Sequence, residues 1–183
     1  MLKKIILGSA ILATTTGIAL ANPAPYVGGG LGIIINTTNN WIGSYRSVPF
    51  NVFAGYGGVL TQNFYLAGEF TGTLTTIGVN DNGQVKSTYS YGLGILPGMM
   101  LNDRTLAFVR LGVVRTRFSE FNKSQTGGQI GFGLQTSLTQ SVDLRGEYDF
   151  TAYRSVSDRY YGYRYSASPR QDAFNLSLVY KFE

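Results

Sequence analysis

The chain has 183 residues, of which 44% are hydrophobic, 14% aromatic and 14% charged, with a formal net charge of +5. It contains no histidine and no cysteine, which excludes the Ser-His-Asp triad, thiol nucleophiles and the usual zinc sites, and removes disulfides as a source of stability. Its basic residues are scattered and its net charge is small, so a nucleic-acid binder is not expected.

The chain opens with the cationic Met1-Leu-Lys-Lys4, continues through the mostly apolar Ile5 to Ala13, and reaches Ala19-Leu20-Ala21. That order of charge, apolar core and A-x-A site predicts a secretory signal peptide over residues 1–21, cut before Asn22, and a single domain over 22–183. The apolar core, about ten residues, is short for a spanning helix of about 20. No later segment offers about 18 uninterrupted apolar residues, so a helical membrane protein is not expected either.

Beyond the leader, the chain is a series of runs with a period of two, the signature of strands with one apolar face. The first covers about Pro25 to Asn36. The second, Val48 to Leu60, puts Phe50, Val52, Ala54 and Tyr56 on one face. The third, Phe64 to Ile77, sets Phe64, Leu66 and Phe70 opposite Glu69. In the fourth, Thr88 to Leu101, Tyr89, Tyr91, Leu93, Ile95, Pro97 and Met99 are in phase. The fifth, Thr105 to Phe118, sets Val109, Leu111 and Val113 against Arg110. The sixth, Gly128 to Thr139, sets Ile130, Phe132, Leu134 and Leu138 against Gln129 and Gln135. The seventh, Val142 to Tyr153, alternates Val142, Leu144, Tyr148 and Phe150 with Asp143, Arg145, Glu147 and Asp149. The eighth is the clearest: Phe174, Leu176, Leu178, Tyr180 and Phe182 on one face, Asn175, Ser177, Val179 and Lys181 on the other.

The connections alternate in length. Thr61-Gln-Asn63, Asn102-Asp-Arg104 and Gln140-Ser141 are tight polar turns. About Thr37 to Ser47, Gly78 to Ser87, Ser119 to Gly127 and Arg154 to Pro169 are long. Short turns at one end and long loops at the other predict an all-β fold, an eight-stranded antiparallel up-and-down transmembrane barrel. A soluble lipocalin-like carrier, apolar inside, has the same alternation. The polar face decides between them: it carries Gly55, Gly57, Gly92, Gly94, Gly98, Gly112, Gly131 and Gly133, small residues suited to a narrow lumen, whereas the apolar face is rich in Tyr, Phe, Leu and Val, as a lipid-facing band is.

The lumen then holds Glu69, Arg110, Asp143, Arg145, Glu147 and Asp149, together with Lys181. Buried charges need partners, so these residues are expected to form a salt-bridge network centred on Glu69, Arg110, Arg145 and Glu147. That network packs the barrel or gates a narrow porin-like path. Catalysis by Asp143, Glu147 and Asp149 is not expected, because Arg145 shares their face. No cofactor and no metal site is expected. The glycine-rich stretches 28–32 and 127–131 lack the Lys-Ser/Thr of a phosphate loop.

With its leader, its alternating runs, the Pro25-Tyr-Val-Gly28 start and the terminal Leu176-Ser-Leu-Val-Tyr-Lys-Phe182, the chain resembles the small outer-membrane β-barrel group that includes the OmpA transmembrane domain, OmpX and the opacity proteins. The resemblance covers residues 22–183 and implies placement in the bacterial outer membrane, contact with outer-membrane lipid and lipopolysaccharide, assembly by the barrel-assembly machinery, and a non-enzymatic role in the envelope or in adhesion. Group members usually end on the aromatic residue itself, whereas here Glu183 follows Phe182. No peptidoglycan-binding domain follows the barrel, so no cell-wall anchor is expected. A closed barrel has no free edge to pair, which predicts a monomer.

The last loop, Tyr153 to Arg170, holds five tyrosines and four arginines against one aspartate. Tyrosine supplies stacking area and arginine forked donors for carboxylates, sulfates and phosphates. Arg154, Arg159, Tyr160, Tyr161, Tyr163, Arg164 and Tyr165 are therefore candidates for binding a host-surface or other polyanionic ligand; contact with lipopolysaccharide from the rim is the alternative. Trp41 and Tyr45, in the first loop, fit either an interfacial anchor or the same surface.

Overall fold

In a bilayer every backbone N–H and C=O has to be satisfied by the protein itself, which for strands means a sheet without an edge. The computed structural model meets that condition. It describes residues 21–38, 45–61, 63–78, 87–118, 123–154, 156–160, 163–167 and 169–182. The strands are β1 (Ala21–Thr38), β2 (Tyr45–Thr61), β3 (Phe64–Gly78), β4 (Ser87–Asn102), β5 (Thr105–Phe118), β6 (Lys123–Ser137), β7 (Val142–Tyr153), β8 (Val156–Tyr160), β9 (Tyr163–Ala167) and β10 (Pro169–Lys181). Eight of them close into an antiparallel barrel in the order β1-β10-β7-β6-β5-β4-β3-β2, and β8 and β9 pair as a separate hairpin. Closure is direct: Leu31 of β1 lies opposite Leu176 of β10 on one side and Phe50 of β2 on the other. The expected leader lies outside the described residues, apart from Ala21, the first residue of β1.

The tight turns are local side-chain chemistry. The Arg104 N–H donates to Asn102 Oδ1 at 2.9 Å, and the Val142 N–H donates to Thr139 Oγ1 at 3.0 Å, so short polar side chains hold the backbone through the reversal. In β3, Leu74 is the extra residue of a bulge: Phe50 pairs with Thr75 and Asn51 with Thr73. Leu74 stays in phase with Phe64, Leu66 and Phe70 on the outward apolar surface, Thr73 stays in phase with the inward Glu69, and the bulge shifts the register only beyond them.

The outer face is apolar. Leu93 is 67% exposed and Phe132 63% exposed, values that only a lipid or partner environment makes favourable over so wide a surface. The opposite face is buried, and this settles the two readings of the alternation in favour of the membrane barrel. At the upper ends the strands run further than alternation alone indicates. β6 begins at Lys123, not Gly128, because Ser124 and Thr126 stay in the ladder opposite Arg117 and Arg115 although they carry no apolar signal. The last long connection differs too: it contains the β8–β9 hairpin.

The interior is less polar than the lumen charges suggest. Tyr26, Phe53, Ala67, Leu96, Leu106, Phe108 and Val179 form a buried cluster inside the barrel. Space for its rings comes from glycine on the neighbouring strand: a Cβ on Gly28 would overlap the Phe53 ring, and one on Gly133 would overlap Phe108. Gly28→Val is therefore expected to cost at least about 1–3 kcal/mol through overpacking, read as a lower urea midpoint of the refolded barrel. An unchanged midpoint would show that Phe53 has room to move away.

Candidate functional site: a charged lumen and an arginine-tyrosine hairpin

All six lumen charges singled out in the sequence point inward and are buried. β3 supplies Glu69, β5 Arg110, and β7 the other four, which fall on one face because they are two residues apart. Arg110 is the hub. Its Nη2 donates to Glu69 Oε1 at 2.5 Å and to Glu147 Oε2 at 3.0 Å, and its Nε donates to Glu147 Oε1. Arg145 Nη1 donates to Glu69 Oε2 at 2.7 Å, and its Nε donates to Gln135 Oε1 at 2.8 Å. Glu69 thus bridges the two guanidiniums, and the Tyr26 hydroxyl donates to its Oε2 at 2.9 Å.

The chain of contacts runs on in both directions. Downward, Gln135 Nε2 donates to Asp143 Oδ2 at 2.6 Å, and Lys181 Nζ lies 2.9 Å from Asp143 Oδ1. Upward, Asp149 Oδ1 lies 3.6 Å from Arg110 Nε, and Asn175 Nδ2 donates to Asp149 Oδ2 at 3.2 Å. Asn51 Nδ2 then donates to Asn175 Oδ1 at 2.7 Å, and Thr73 Oγ1 donates to Asn51 Oδ1 at 2.8 Å. Near the top, Tyr153 donates to Gln171 Oε1 at 2.7 Å and meets Thr116 Oγ1 at 2.8 Å.

Arg145 is also caged by rings. Its guanidinium carbon lies 4.5 Å from the centroid of Phe53, 5.2 Å from Phe108 and 5.5 Å from Tyr26, distances at which the ring faces attract the cation. The sequence reading missed Tyr26, Phe53 and Phe108 as partners. For Phe53 and Phe108 the available signal is their phase: each falls between outward-facing residues. It is obscured because aromatic residues are also the mark of the lipid side.

The network and the rings separate two spaces. The upper cavity, about 70 Å³, is bordered by Asn51, Thr73, Ser90, Gln129, Asp149 and Asn175. The lower, about 290 Å³, is bordered by Tyr65, Met100, Leu106, Gln135, Asp143 and Lys181. The upper one has room for about two waters at roughly 30 Å³ each.

Of the surface candidates, Arg154 is exposed at the end of β7. In the β8–β9 hairpin the register sets Arg159 opposite Arg164, Tyr160 opposite Tyr163 and Asp158 opposite Tyr165. Tyr161 and Trp41 lie outside the described residues.

An edgeless antiparallel barrel with an apolar outer wall and a salt-bridged interior defines the class: an eight-stranded transmembrane barrel. A family model for the outer membrane protein beta-barrel domain matches residues 5–182, and the chain belongs to that family. Its home is accordingly the bacterial outer membrane. Among solved structures it is similar to Neisserial surface protein A (TM-score 0.61, 15% identity, 86% of this chain and 97% of that one). It is also similar to Ail, the attachment invasion locus protein of Yersinia pestis (TM-score 0.54, 15% identity, 88% and 99%). OprG from Pseudomonas aeruginosa is a third (TM-score 0.50, 8% identity, 91% and 100%). At these identities the likeness is one of fold. Comparison with curated proteins gives no match.

Proposed function

We infer that this is an exported, non-enzymatic outer-membrane barrel whose lumen is a structural core and whose binding work is done above the membrane by the Tyr/Arg-rich hairpin. The observation that carries this reading is the hairpin register. Arg159 opposite Arg164 is a like-charge cross-strand pair, which is destabilising unless an anion is shared between the two side chains. A two-stranded ribbon is marginal alone, so a polyanion bridging that pair would both bind and order it. Tyr160, Tyr163 and Tyr165 alternate with that pair along the two strands, on the other face of the ribbon, and offer stacking area for sugar rings there. Ail has been solved in complex with the heparin analogue sucrose octasulfate, and a sulfated or phosphorylated glycan is the class of ligand proposed here. In this reading residues 1–21 are removed on export, and the terminal strand ending in Phe182 is what the barrel-assembly machinery engages.

The test is binding of the refolded barrel to immobilised heparin. Deleting residues 160–165 is expected to lower retention to that of a neutral matrix while the heat-modifiable gel shift persists. Unchanged retention with the barrel intact would overturn the reading. The small upper cavity disfavours the porin-like alternative. Liposome swelling discriminates between them, with no solute flux expected.

A further inference from the structure

The outer wall changes chemistry at one level on β5 and β7, the two strands that flank β6. On β5 the outward positions read Ala107, Val109, Leu111 and Val113, then Arg115 and Arg117. On β7 they read Tyr148, Phe150 and Ala152, then Arg154 at its end. All three arginines are exposed and continue the phase that faces lipid below them. Register brings them together. Arg115 lies opposite Tyr91 of β4 and Thr126 of β6, and the Arg154 N–H donates to the Thr126 carbonyl at 3.2 Å. Tyr91, Arg115, Thr126 and Arg154 therefore stand side by side on four neighbouring strands. Two interstrand spacings separate Arg115 from Arg154, about 10 Å. One step higher, Arg117 Nη1 donates to the Tyr89 hydroxyl at 3.4 Å.

The level is what identifies the partner. Arg115 is ten residues above Thr105, where β5 begins. At about 3.4 Å per residue and about 40° of tilt this is about 26 Å along the barrel axis. That equals the height of the apolar band, about 25 Å, so the arginines sit where acyl chains give way to headgroups. Tyr89 and Tyr91 beside them are the residue type that occupies that boundary. Among the described residues of this arc the one outward acid is Asp172, and it already accepts a hydrogen bond from the Tyr148 hydroxyl. The cationic forks of Arg115 and Arg154, facing outward at headgroup level, match phosphate groups carried by a lipid.

We propose that Arg115 and Arg154, flanked by Tyr91 and Thr126, form a wall site for the phosphates of an outer-leaflet phosphoglycolipid. The site depends on the outer-membrane placement and not on the hairpin reading. A ligand with two phosphates would engage one arginine with each.

The test uses the full refolded barrel in neutral detergent, with bis-phosphorylated lipid A and its dephosphorylated form as probes, read by native mass spectrometry. The phosphorylated lipid is expected to bind and the dephosphorylated form to bind at least tenfold more weakly. Each of Arg115→Gln and Arg154→Gln should weaken binding about fivefold, and the pair roughly twenty-five-fold, at the usual contribution of a basic residue near an anionic surface. Arg46→Gln, on the far wall, and deletion of residues 160–165 should both stay within about twofold. If the double variant loses its gel shift, the single variants carry the test. Equal affinity for both lipids would overturn the proposal, as would undiminished binding by the arginine variants or an equal loss from Arg46→Gln. Loss on hairpin deletion alone would move the lipid contact to the hairpin.

Discussion

Arg110→Ala is expected to lower the unfolding free energy of the barrel by about 3–5 kcal/mol, the cost of leaving buried charge without its partner. Arg110 is 2% exposed and so is Glu69, and Glu147 has both oxygens on the Arg110 guanidinium. Removing the guanidinium leaves Glu147 and one oxygen of Glu69 facing the 2.7 Å pair with Arg145 as the remaining neutralisation. Urea unfolding in detergent measures the loss. Arg110→Ala combined with Glu147→Ala should be less destabilised than the sum of the two single changes, because the orphaned carboxylate goes with its partner. A loss below about 1 kcal/mol for Arg110→Ala would mean that the network does not hold the lumen together. The same variants separate core from gate. In planar bilayers both single variants are expected to stay closed, since Tyr26, Phe53, Leu96 and Phe108 still fill the space. Opening in either would make the network a gate.

Leu111→Arg is expected to cost about 2–4 kcal/mol in a bilayer, the penalty for arginine near the midplane of a lipid-facing strand. Leu111 lies between Ile95 of β4 and Ile130 of β6, with Val113 above and Val109 below it on the same face, all of them exposed. Among the described residues these outward neighbours are apolar and offer the new cation no carboxylate. Arg115→Leu, four residues higher, should be close to neutral for folding, because that position is at the interface. The contrast between these two depths is the readout: refolding yields in vesicles at matched urea concentrations. Equal tolerance at both positions would remove the lipid band from this wall.

Reading period two along the chain was enough for the outward face. Leu93, Ile95 and Met99, or Phe174, Leu176 and Leu178, each stand out because polar or small residues separate them. The same alternation named the buried charges of β7, since four charged residues two apart have no other common face. It was silent where side chains break the rule that apolar means outward. Phe53, Leu96 and Phe108 are apolar and turn inward, and β1, with glycine and isoleucine running together, gives no usable phase for Tyr26.

The hairpin and the wall arginines show a second limit. Arg159 and Arg164 are five residues apart in sequence and opposite one another only because β8 and β9 pair in that register. Arg115 and Arg154 are on strands separated by β6, and nothing in the linear order connects them.

The sequence by itself determined the eight strands of the barrel, the side of most of them that meets lipid and the charges that had to be buried, because a two-residue period and the cost of unpaired charge are local rules. Tertiary structure decided which charges pair, which rings cage Arg145, where glycine makes room for them and which surface arginines share a level. Those depend on register between strands, which closure of the barrel fixes and no single strand encodes.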